Sequence, residues 1–215
     1  MENVHETLHN ELTYLSMVNN LLENNVESVF GGSDCKACLG VQAGFDLGKS
    51  FPSLVSRDVD IAVAMAGAND ILKTNKKALT LLMAQCKAGP DGSHATTLIK
   101  HPQVNGLQIL IRDNFLDVNV QLAGADVLND VPSLMSTLGI LTLVFAAHNN
   151  CQPQHLSMQF SSIWVASDQV SGAKVMLNTE ISPPAVMSLR TEAATTLKPI
   201  SLRDITMTSW ADYGG

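Results

Sequence analysis

Apolar positions near the start of the chain recur at helical spacing. Val4, Leu8, Leu12, Leu15, Val18 and Leu22 follow one another at steps of four and three, giving one apolar stripe. This predicts a long amphipathic helix running to about residue 29. Glu2 and Glu6 suit its positive end, and Gly31-Gly32 closes it. Residues 31–57, rich in glycine and serine, read as a loop. A second helix is predicted from Ser56, a good N-cap, through Leu72, and a third from about Asn75 to Lys87. Lys87-Ala88-Gly89-Pro90 stops the third, since glycine permits a left-handed cap and proline forbids continuation.

From residue 104 the period changes to two. Leu107–Ile111 predicts a short strand, and Arg112-Asp113-Asn114 a turn. Leu116, Val118, Val120 and Leu122 then alternate with polar residues, as a half-buried strand does. Val127–Leu138 reads as a short helix around Pro132, and Ile140–Phe145 as a fully apolar strand. Leu156, Met158 and Phe160 alternate until the phase slips at Ser161-Ser162, which predicts a β-bulge before Ile163-Trp164-Val165. Further strands are expected at Lys174–Leu177, Val186–Leu189 and Leu197–Thr208, with Pro183-Pro184 at a turn or edge. The fold class expected is α+β. A mainly helical part over residues 1–100 precedes an antiparallel β-sandwich or jelly-roll-like barrel over 101–215.

Composition narrows the function classes. The chain has 215 residues, 46% of them hydrophobic and only 15% charged, so it can bury a core and is not a disordered chain. A sparsely charged surface favours assembly with copies of itself. The formal charge of −7 opposes tight nucleic-acid binding. Only Lys73, Lys76, Lys77, Lys87 and Lys100 form a local basic group, which makes RNA the second candidate partner. Met1–Asn25 is amphipathic rather than a signal peptide, so an intracellular setting with free thiols is expected. The most apolar stretch, Leu134–Ala147, is shorter than the roughly 20 residues of a membrane span. No span is expected, while peripheral membrane contact stays open.

No catalytic residues, metal or cofactor are assigned. Cys35 and Cys38 have the spacing of half a zinc site, and His5 and His9 lie one helical turn apart. A helix continuous to residue 29 would hold His5 roughly 35 Å from its end, out of reach of the cysteines. Gly44–Ser50 resembles a P-loop but has one residue too few between its glycines. Asp58 and Asp60 suit a helix start better than a metal. His148, Cys151 and His155 around a loop leave an unfamiliar Cys/His enzyme site as a third hypothesis.

Leu107–Ile111, Leu116–Leu122 with Asp126 after it, Gly139–Phe145, the loop with Cys151 and Pro153, and Leu156–Ala166 form a recognisable layout. It resembles the β-core of the 30K-type movement proteins of plant viruses, themselves similar to jelly-roll coat proteins of small RNA viruses. The resemblance covers residues 106–180. It implies a non-enzymatic β-barrel that self-associates and handles RNA in host cytoplasm or virion, with Asp126 at the family's acidic position. The chain departs from that pattern in lacking a basic tail and in its helical first part. Leu8, Leu12, Leu15, Val18 and Leu22 are the expected self-association stripe.

Overall fold

The computed structural model describes residues 9–52, 54, 56–57, 59–88, 94–179, 186–189, 197, 201 and 205–208. Helix α1 (His9–Glu23) follows the apolar stripe but ends well before residue 29. Asn25 caps it by donating its side-chain amide to the Leu22 carbonyl, one of those a helix end leaves open. Val26–Phe30, with two valines and a phenylalanine, then forms strand β1. The turn at Gly31-Gly32 has φ +60° and +84°, a pair of left-handed residues that glycine adopts freely. It leads into β2 (Ser33–Asp46), a 14-residue strand where the sequence predicts a loop. Val41, Ala43 and Phe45 alternate toward the core between glycines that masked the pattern, whereas Cys35 and Ala37, also buried, pair with Ala166 and Trp164 and face the other side.

Helix α2 (Ile61–Thr74) starts later than Ser56, because Asp60 is its N-cap: the carboxylate accepts from the Ala62 N–H at 2.8 Å. Helix α3 (Lys76–Ala88) follows after Asn75, while Gly89 and Pro90 lie outside the described residues. Strands β3 (His94–Leu98), β4 (Val104–Arg112) and β5 (Phe115–Asp126) come next. The β4–β5 hairpin turns on Asp113 and Asn114, both at positive φ. The described residues of the first hundred thus supply three helices and also three strands.

Val131–Asn149 is one helix, α4, which corrects the prediction of a short helix followed by a strand at Ile140–Phe145. The cause is burial on every side. Residues 134–146 are all buried, so no polar face interrupts the apolar run and no period survives to identify it. By length and composition α4 is apolar enough to cross a membrane, yet 83% of that stretch is buried inside the protein. Strand β6 (Gln152–Ala166), a single 3₁₀ turn and helix α5 (Val170–Leu177) follow. Lys174–Leu177, predicted as a strand, lies in α5. Strands β7 (Val186–Leu189) and β8 (Ile205–Thr208) form a separate two-stranded sheet. Pro183-Pro184 and most of 190–204 lie outside the described residues.

The α+β class stands, with a different sheet from the one expected. The order is β1-β2-β6-β5-β4-β3, antiparallel throughout except for the parallel β5–β6 pair, which α4 connects. Helix α1 packs on β2, α4 on β5 and β6, and α3 on β3 and β4, while α2 packs on α4. One continuous core joins their apolar faces to one face of the sheet. The phase slip in β6 is real, but it is no one-sided bulge. Burial passes from Leu156, Met158 and Phe160 to Ile163 and Val165, and in β5 from Val118, Val120 and Leu122 to Ala125. Pairing offsets are unchanged on both sides of Ser161, because neighbouring strands change phase at the same row. Gly40 of β2, at φ +63°, lies opposite.

Candidate functional site

The face of the sheet away from the helices is polar and nearly uncharged. Because directly paired residues share a face, the register assembles rows across strands. One row runs Gln42, Gln159, Gln121, Gly106 and Leu98; the next runs Gly44, Ser157, Asn119, Gln108 and Thr96. The Gln42 amide donates to Ser157 Oγ at 3.1 Å. Asn119 Oδ1 is buried with no hydrogen-bond partner among the described residues, in a recess of about 120 Å³ lined by Thr96, Gly106, Gln108 and Gln121. Leu98 at one margin is 80% exposed. The charges on this face gather at one end, where Asp117 accepts from Arg112 at 2.8 Å and meets His155 Nδ1 at 3.1 Å.

Beyond the change of phase, Trp164 turns to this same side. Its ring stacks on Phe30, with centroids 4.0 Å apart and planes within 10°. Gly124 lies beneath, where an added Cβ would stand 2.6 Å from the indole and 2.7 Å from Ser162 Oγ. Trp164 is therefore a partly exposed platform, where a core residue is the simplest expectation from its apolar strand.

The expected self-association stripe is mostly internal. Leu15 and Val18 are buried against β2, Leu22 is half-buried, Leu12 is 41% exposed, and Leu8 lies outside the described residues. Helix α1 spends its apolar face on its own sheet.

The lysines divide. Lys73 ends α2, Lys76 and Lys77 open α3, and Lys100 is fixed beside them by Asn75. Asn75 Oδ1 accepts from the Lys100 N–H at 2.6 Å, and its amide donates to the Lys100 carbonyl. These four exposed lysines share one corner. Lys87 lies at the far end of α3, roughly 15 Å away at 1.5 Å per residue.

Asp126 closes the turn between β5 and α4. Its Oδ1 accepts from the N–H groups of Leu128 and Asn129, and its own N–H donates to Asp130 Oδ2. Cys35 and Cys38 lie three apart on β2 and so face opposite sides of the strand, where they cannot converge on one ion. His5 lies outside the described residues. Among the described residues no three His, Cys, Asp or Glu side chains are grouped to hold a metal. Burial pushes the Cys151 thiol above its ordinary range, opposite to what an activated nucleophile needs. The Cys86 thiol is raised for the same reason, with Cys151 nearby adding to it. His155 is engaged with Asp117 on the polar face.

The amide rows were missed because residues 31–57 read as a loop, which removed Gln42 and Gly44 from the sheet. Gln108, Asn119, Gln121 and Gln159 were visible as polar alternates, but only the register sets them side by side. No protein-family model matches this chain, and no curated protein matches it.

Proposed function

We propose that this chain is a non-enzymatic structural protein that acts as an assembly of its own copies, the class implied by its resemblance to movement and coat proteins. The observation that supports this is the helix-free sheet face with its rows of amides. An amide side chain carries both donors and an acceptor, so a face built from glutamine and asparagine is complementary to itself. With little charge in its central rows, two such faces meet without repulsion. Asn119 Oδ1, buried and unpaired, is an acceptor that a facing amide could satisfy. The self-association assigned here uses the sheet and owes nothing to a jelly roll.

Sedimentation velocity over a micromolar concentration series tests it. A species heavier than one chain that dissociates on dilution is expected; a strict monomer at every concentration would refute it. A second reading is supported by the corner of Lys73, Lys76, Lys77 and Lys100, whose exposed charges form no ion pair among the described residues. Such a corner suits weak, salt-sensitive contact with a phosphate backbone.

A further inference from the structure

Strand β1 pairs with β2 only from Ser33 to Ala37. From Cys38 to Asp46 the outer edge of β2 carries no described strand. Asn10 already bonds both backbone groups of Asp46, so the free edge is the eight residues from Cys38 to Phe45, about 27 Å at roughly 3.4 Å each. Helix α1 runs along the same stretch. At one end Asn10 is bonded to the Asp46 backbone, and at the other Glu23 precedes the turn into Val26, which lies opposite Ala37. Between helix and strand is an open groove of about 700 Å³, with Thr13, Ser16 and Asn20 on one wall and Val41, Gln42 and Gly44 on the other.

We propose that this groove takes up an extended, uncharged peptide segment of up to eight residues as an added strand, antiparallel to β2, with a basic residue at its C-terminal end against Glu23. A strand edge presents backbone N–H and C=O groups at regular spacing, and the partner that satisfies all of them is another backbone. Antiparallel addition continues the line that β1 already follows, so the segment's C-terminal end stops at Val26, beside Glu23. The remaining wall residues are hydroxyls, amides and apolar groups, Leu12 and Met17 among them, which offer a buried charge no counterion. Glu23 is the lone charged residue of the lining, is exposed, and makes no ion pair among the described residues.

The flanking helix selects a bare strand over a second folded copy. Paired strands lie about 4.8 Å apart, whereas packed helices need about 8–10 Å. A second β2 docking here would bring its own α1 against this one. The site runs along the strand edge, whereas the self-association rows cross the sheet; the two share Gln42 and Gly44.

The test is titration of the whole chain with an acetylated eight-residue peptide alternating threonine and valine and ending in lysine, followed by amide NMR shifts. A twin peptide ending in glutamate is the control. Shifts confined to residues 38–45 and the facing side of α1 are expected, with the glutamate twin weaker by about fivefold or more. Ser16→Trp, at an exposed position, fills the groove and should weaken binding about tenfold or more while leaving the circular dichroism unchanged. Glu23→Lys should reverse the preference between the two peptides. Absence of binding at millimolar peptide overturns the proposal. So does binding that persists unchanged in both variants, or shifts centred elsewhere.

Discussion

Asn10 joins the first helix to the far end of β2 with one side chain. Its amide donates to the Asp46 carbonyl and, at 2.7 Å, to the Ser50 carbonyl, while its Oδ1 accepts from the Asp46 N–H. The residue is almost fully buried, so Asn10→Ala strands backbone groups without water. We expect a loss of about 1–3 kcal/mol, read as a lower urea midpoint at unchanged slope. His101 makes stability depend on pH. Its Nδ1 accepts from the N–H groups of Gln103 and Val104, which requires the neutral ring, and burial lowers its pKa although Asp70 nearby opposes this. The unfolded chain binds a proton near pH 6.5, which the folded chain resists. Stability is therefore complete above that value and falls as pH drops toward the lowered folded pKa. Urea midpoints measured between about pH 7.5 and 5.5 should decline, with a smaller decline in His101→Gln. Neither role was legible in the sequence: Asn10 is a polar residue on an amphipathic helix, which reads as solvent-facing until a loop folds over it, and His101 lies in a short connection between strands.

At the scale of elements, legibility followed how much polarity each one retains. The alternation of β5 and the start of α3 were read correctly, since each keeps a polar face, while the breaker after α3 lies outside the described residues. Helix α4 lost its period through complete burial, and β2 lost its own to Gly40 and Gly44. The glycines misled twice: Gly31-Gly32 turns a hairpin between β1 and β2 and does not end the helix, and at Gly44 an added Cβ meets nothing within 4 Å in an ordinary strand. The phase slip in β6 was legible, but its cause was not, since shared register is a property of three strands together. The lysine corner is likewise a product of topology, set by the Asn75–Lys100 bonds across 25 residues. If it contacts RNA, Lys76→Glu with Lys77→Glu should flatten the salt dependence by about two units of slope. Filter retention across a salt series measures this, and an unchanged slope removes the RNA reading.

Among the described residues, the helices cover one face of the six-stranded sheet and leave the other open. The helical layer and the long apolar helix account for the core. They do not account for three glutamines side by side on β2, β6 and β5, or for a buried amide oxygen without a partner. A face of this kind is consistent with a protein that is complete only against another copy. The most direct measurement is light scattering of the native chain beside Gln121→Lys with Gln159→Lys. Gln121 is exposed and Gln159 half-buried, so the fold tolerates both changes while like charges gather in the centre of the face. The account predicts an assembly for the native chain and a monomer for the variant at the same concentration. Equal masses for the two would contradict it.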